Sequence, residues 1–151
     1  MFEIEHFAGW SDMDFNGHMR NTAYLDKSVD ARMHFFAKQG FPVSEFMRLR
    51  IGPVVMKDEI EYFREIHLLD RLKVGFALAG LSLDGSRMLL RNEFMREGRQ
   101  IARVTSTGGW LDLEKRKLIC PPPPLLDVMN ALGKTEDFVE LPSSVNRGQA
   151  S

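Results

Sequence analysis

The sequence has a single cysteine, Cys120, in 151 residues. That excludes an intrachain disulfide and any metal centre built from several thiolates. Cys120 stands beside a proline run with no activating neighbour, and it reads as a bystander. No apolar run reaches the roughly 18 residues that would span a bilayer. The first residues, Met1-Phe2-Glu3-Ile4-Glu5-His6, carry neither a basic nor an apolar signal region, so a reducing cytoplasm is the expected location. Charge of one sign is also missing. Lys+Arg number 20 and Asp+Glu 21, for a net charge of −1, which argues against bulk electrostatic attraction to nucleic acid or an anionic membrane. G-x-S-x-G, P-loop and G-x-G-x-x-G patterns are absent, removing the usual serine-hydrolase and nucleotide-binding readings. His6, His34 and His67 have no ligand-like spacing to one another, so no metal or other cofactor is expected.

What remains is an ordinary globular composition, 44% hydrophobic and 27% charged, in a chain long enough for one core. The densest chemistry lies in Trp10-Ser11-Asp12-Met13-Asp14-Phe15-Asn16-Gly17-His18-Met19-Arg20-Asn21-Thr22-Ala23-Tyr24. Two carboxylates, two asparagines, an imidazole and a glycine fall in a short turn before a long amphipathic segment. Gly17 suits unusual backbone angles, and Asn21 or Thr22 can cap the helix that follows.

That helix is expected over about residues 22–39, with Leu25, Val29, Met33 and Phe36 as its apolar stripe and Asp26, Lys27, Asp30, Lys38 and Gln39 off it. A first strand precedes it near Glu3–Phe7. Ser44 to Leu49 forms a short second turn closed by Gly52-Pro53. Four strands then follow. Val54, Met56, Ile60, Tyr62 and Ile66 share one parity, and Leu72, Val74, Phe76 and Leu78 alternate cleanly. Met88, Leu90 and Phe94 face one side of the next strand, and Ile101 to Leu113 form the last. Asp84-Gly85 signals a type I′ hairpin, and Glu97-Gly98-Arg99 another turn. Pro121 to Pro124 should be extended, Leu125 to Leu132 a brief helix, and Pro142 to Ser151 frayed.

The expected architecture is α+β, a long central helix on an antiparallel β-sheet. Residues 1–135 form one domain and residues 136–151 a poorly ordered tail. One helix is a small cover for so wide a sheet, and an edge strand stays open. A homodimer or homotetramer joined through sheet edges is therefore expected.

The stretch Asp12-Met13-Asp14-Phe15-Asn16-Gly17-His18-Met19-Arg20-Asn21, with Tyr24 beyond it, resembles hotdog-fold acyl thioesterases, particularly the 4-hydroxybenzoyl-CoA thioesterase group and its D-x-D-x-x-G-H/V turn. Asp14, Asn16 and His18 are similar to the D-x-N-x-H spacing of acyl-ACP thioesterases. The resemblance covers roughly residues 3–125 and implies a hotdog fold and an acyl-CoA substrate. It assigns Asp14 as general base or nucleophile and the backbone N–H of Asn21 as oxyanion donor, with Asn16 and His18 orienting substrate or water and assisting proton transfer. The acyl-ACP enzymes use a further downstream acid, for which Glu45 is the one candidate counterpart, and that role is not transferred. A narrower resemblance, to betainyl-CoA thioesterases, implies a small or short-chain acyl group. Trp10, Phe15, Tyr24, Tyr62, Phe63 and Trp110 could then supply aromatic faces for a trimethylammonium.

The residue types suit this chemistry independently. A thiolate leaves readily, so one carboxylate that attacks or activates water can suffice. Helix N-terminal N–H groups form a ready oxyanion site. Asp12 reads as scaffold more than as a second acid. Lys57, Arg64, Arg87, Arg91, Arg96 and Arg103 are all available for CoA phosphates, and the sequence favours none. Two other readings stay open: a hotdog dehydratase of 3-hydroxyacyl thioesters, and an acyl-thioester binding or regulatory protein without turnover.

Overall fold

A computed structural model describes residues 1–146. The elements are β1 (Phe2–Phe7), α1 (Asn21–Lys38), α2 (Val43–Leu49), β2 (Ile51–Tyr62), β3 (Arg71–Ser82), β4 (Arg87–Arg96), β5 (Arg99–Asp112), β6 (Lys117–Ile119), α3 (Pro123–Ala131) and β7 (Lys134–Leu141). The main sheet runs β1-β3-β4-β5-β2, every neighbouring pair antiparallel. β6 pairs β5 beyond the end of β4, and β7 runs parallel to β3 beyond the end of β1. Helix α1 lies on the sheet, so the expected α+β arrangement is the observed one.

The buried face of α1 differs from the expected stripe. Ala23, Tyr24, Lys27, Ser28, Ala31, Arg32, Phe35 and Phe36 are buried, whereas Val29 is 46% exposed and Leu25 and Met33 are half-buried. Small residues at 23, 28 and 31 let the helix approach the sheet closely. Two cations go inside because each finds partners there. Lys27 Nζ lies 3.0 Å from Asp12 Oδ2, and the Arg32 guanidinium donates to Asn92 Oδ1 (2.9 Å) and Ser106 Oγ (2.7 Å). Reading charge as exposure therefore rotated the stripe.

The strand alternation holds where the sheet is central. Leu72, Val74, Phe76 and Leu78 are buried, as are Met88, Leu90 and Phe94. It fails on β2, where Met56 and Tyr62 are exposed and Ile66 is buried outside the strand. A bulge between Val55 and Lys57 shifts the register there, and β2 lies at a sheet edge, where Pro53 is tolerated inside the strand rather than closing a helix.

The hairpin signals are also reassigned. At Asp84-Gly85 only the glycine has positive φ (76°), and Gly85 N–H donates to Ser82 O within a four-residue connection. The two-residue I′ geometry, with both φ positive, occurs instead at Glu97 (51°) and Gly98 (76°).

The C-terminal region is more structured than expected. Pro123 and Pro124 occupy the first turn of α3, where a missing N–H costs nothing. The tail placed at 136–151 begins as β7, and Ser143 and Ser144 hydrogen-bond to Asp84 and Ser86. Residues 147–151 lie outside the described residues.

Candidate active site

The motif forms a pinned loop between β1 and α1. A single 3₁₀ turn spans Trp10–Asp12. The Asp12 carboxylate accepts from Gly9 N–H (2.8 Å) and pairs with Lys27. Burial raises the Asp12 carboxyl pKa, but the Gly9 N–H and the Lys27 ammonium outweigh it and hold the group below its usual range. Asp12 therefore ties the loop to the helix and is not among the residues that line the cavity at Asp14 and His18.

Beyond it, Met13 bridges Met19, and Asp14 N–H donates to His18 O at 2.8 Å. Met19 N–H donates to Ile66 O (2.9 Å), which fastens the loop to the segment after β2. Gly17 turns the chain at φ +78°, a conformation that L side chains rarely adopt. Asp14 Oδ1 accepts from the N–H groups of Asn16 (2.8 Å) and His18 (3.1 Å). Among the described residues Oδ2 has no hydrogen-bond partner, so one oxygen orients the carboxylate and the other is free to act.

A cavity of about 470 Å³ opens at this point, and its lining includes Asp14, His18, Asn21, Tyr24, Tyr62 and Arg64. Asn21 is the first residue of α1, with Arg20 rather than Asn21 or Thr22 at the cap position. The Asn21 side chain accepts from Thr22 N–H (2.9 Å), leaving its own N–H among the helix's unsatisfied donors. The structure therefore brings Asp14, His18 and Asn21 to one cavity. Asn16 is not among its lining residues; it is exposed, and its backbone N–H donates to Asp14 Oδ1. His18 Nε2 lies 3.2 Å from Glu65 Oε2.

Glu65 had no sequence signal. Tyr24 had only its place in the motif; it is buried, with ring centroids 5.2 Å from both Tyr62 and Phe94. Burial, then the Tyr62 and Asp14 charges, push the Tyr24 phenol up to about 12, so it stays a neutral donor at ordinary pH. Of the six cations considered for CoA, only Arg64 lines this cavity, and its guanidinium has no partner among the described residues. Others are engaged elsewhere: Arg91 with Asp137, Arg96 with Asp70, and Arg103 with Glu93. Glu45 pairs with Arg48 on α2 and is not among the cavity's lining residues. Trp110 is fully buried in the core, stacked on Phe46.

Residues 8–144 match the family model of the Thioesterase-like superfamily. The chain belongs to that superfamily. Membership places it among thioester hydrolases, and similar solved structures carry the hotdog fold. One is a gentisyl-coenzyme A thioesterase, 19% identical, with a TM-score of 0.74 over 84% of this chain and 98% of that one. Another is a 1,4-dihydroxy-2-naphthoyl-CoA thioesterase from Synechocystis, 18% identical, with a TM-score of 0.76 over 87% and 96%. A third is a hypothetical protein from Staphylococcus aureus in complex with CoA, 17% identical, with a TM-score of 0.78 over 99% and 94%. No curated protein matches the sequence. Among the described residues no helix of this superfamily member is long and apolar enough to cross a membrane.

Proposed function

We propose that the protein hydrolyses an acyl-CoA to the free acid and CoA, with Asp14 as general base or nucleophile. The observation that carries this reading is the juxtaposition of the unpartnered Asp14 Oδ2 with the first N–H of α1 at one cavity. A thioester carbonyl placed against Asn21 N–H would have its developing negative charge met by a fixed donor at the positive end of the helix. Asp14 Oδ2 would then attack the carbonyl carbon or take a proton from water, with CoA thiolate leaving. His18 orients the water or assists proton transfer, and Asn16 contributes through the turn that holds Asp14.

The acyl group is small or short-chain. Tyr24, Tyr62 and Phe63 line the cavity and offer aromatic faces, which suits betainyl-CoA, whose trimethylammonium group such faces attract. Two structural neighbours act on aromatic acyl-CoAs and one binds CoA, so aromatic thioesters belong beside betainyl-CoA in the same test. The outer edge of β2 ends the sheet and borders the cavity through Tyr62. Pairing of two β2 edges would close a homodimer, or a homotetramer by further association, around the site.

The test is release of free thiol from a panel of betainyl, short-chain, medium-chain and aromatic acyl-CoAs. Preference for medium-chain or aromatic substrates removes the betainyl assignment. Hydration of enoyl-CoA without thiol release favours the dehydratase reading, and tight acyl-CoA binding without turnover favours the binding protein.

A further inference from the structure

Three ligand-type side chains converge at the cavity, His18 and Glu65 from its lining and His67 next to them. His18 Nε2 and His67 Nε2 lie 3.2 and 3.4 Å from the same carboxylate oxygen, Glu65 Oε2. One ligating atom from each residue lies within 4.8 Å of the other two. The two imidazoles stand nearly perpendicular, with centroids 5.6 Å apart and an interplanar angle of 71°. We propose that His18, Glu65 and His67 form a binding site for a divalent transition ion of the zinc type.

The distances suit that role. Metal–nitrogen and metal–oxygen bonds of about 2.0–2.1 Å in a tetrahedral site put neighbouring ligand atoms about 3.3 Å apart. Two of the three ligand pairs already stand near that separation, and the third closes by rotation of half-exposed side chains. Two imidazoles and one carboxylate are a donor set that zinc accepts with a position left for water.

The scaffold beneath the ligands is fixed. Glu65 and His67 flank Ile66, which is fully buried, so in an extended segment they project to the same side. Ile66 O receives Met19 N–H, locking the His18 loop alongside. Arg96 Nη1 donates to Glu65 O at 2.9 Å. A second carboxylate stands behind one ligand: Asp70 Oδ2 is 3.9 Å from His67 Nδ1, and it is held by Arg96 and by His67 N–H. A carboxylate on the far nitrogen is the usual support of a metal-bound histidine. Sequence spacing could not show the trio, because His18 comes from the loop before α1 and its partners from the segment after β2.

Ion binding follows from this geometry alone. Its effect on turnover rests on the proposed function: an ion on His18 Nε2 withdraws that imidazole from the cavity, so zinc should inhibit hydrolysis. The experiment uses untagged protein stripped with chelator, titrated with Zn²⁺ by calorimetry and with Co²⁺ by visible absorption. One ion per chain and cobalt bands of a four- or five-coordinate site are expected. Loss of a supporting residue alone weakens metal sites by about 10–100-fold, so His67→Ala should lower affinity at least tenfold. Glu65→Gln should do the same, and His34→Ala should leave it unchanged. Each variant's denaturation midpoint confirms that it is folded. No saturable binding, or binding that survives both His67→Ala and Glu65→Gln, overturns the site whatever the thioesterase assay shows. Hydrolysis by wild type that zinc inhibits, and by His67→Ala that it does not, supports the site's link to the cavity. Zinc binding without inhibition overturns only that link.

Discussion

Replacing Asn92 by leucine asks whether the buried Arg32 cation depends on its neighbours. Arg32 is 6% exposed, and among the described residues no carboxylate lies within salt-bridge reach of it. Its guanidinium donates to Asn92 Oδ1 and Ser106 Oγ, and Ser106 in turn bonds Asp58. Burial depresses the Arg32 pKa from 12.5 to about 10, against the pull of Asp58. That depression corresponds to about 3 kcal/mol disfavouring the charged form in the fold. At neutral pH the group is charged in both folded and unfolded chains, so the hydrogen bonds must offset the penalty. Asn92 also donates to Gly75 O at 3.0 Å. Asn92→Leu removes one bond to a charged donor and orphans that carbonyl, an expected loss of about 3–5 kcal/mol. Arg32→Met orphans Asn92 Oδ1 but lifts the burial penalty, so its loss should be smaller, about 1–3 kcal/mol. In the double variant the cation is gone, and the combined loss should fall short of the sum by about 0.5–3 kcal/mol. The assay is denaturant unfolding at pH 7 and fixed protein concentration, since assembly would shift midpoints. Additivity within about 0.5 kcal/mol would refute the reasoning.

The Asp12 carboxyl is held below its usual range, so its contribution to stability is present above the unfolded value, near 3.8, and is lost as pH falls through the folded one. Asp12→Asn should lower the unfolding midpoint at pH 7 and flatten the acid limb below about pH 4. Gly17→Ala forces a side chain into φ +78° and should destabilise the loop by about 1–2 kcal/mol; turnover should fall more than the unfolding midpoint does. Arg64→Ala should raise KM for CoA thioesters with kcat little changed, as expected if this cavity-lining cation, without a partner among the described residues, contributes uniform binding.

Much of this organisation was legible from residue order. The motif, the helix after it and the strand succession reflect local chemistry: turn formers, periodicity and glycine. The α+β layer follows from how few ways such elements can bury their apolar faces. What escaped depends on partners distant in sequence. Lys27 was placed off the apolar stripe and the buried Arg32 was not foreseen, because Asp12, Asn92 and Ser106 meet them only through folding. The β2 parity was broken by a bulge between Val55 and Lys57, and β7 was missed because polar Lys134–Leu141 lies along β3 in parallel. At the site, Asp14, His18 and Asn21 were placed by the motif. Glu65 and Arg64 reach the same cavity from the segment just after β2, with no spacing to the motif that singles them out.

The central claim is that Asp14 performs or initiates the attack on the thioester. Thiol release by Asp14→Asn, measured on the best substrate of the panel beside wild type, tests it most directly. The substitution keeps the side chain's size and an acceptor oxygen for the N–H groups of Asn16 and His18. The account predicts kcat lowered by about 10²–10⁴-fold, as for loss of a general base, with an unchanged unfolding midpoint. Turnover within a few-fold of wild type would contradict it.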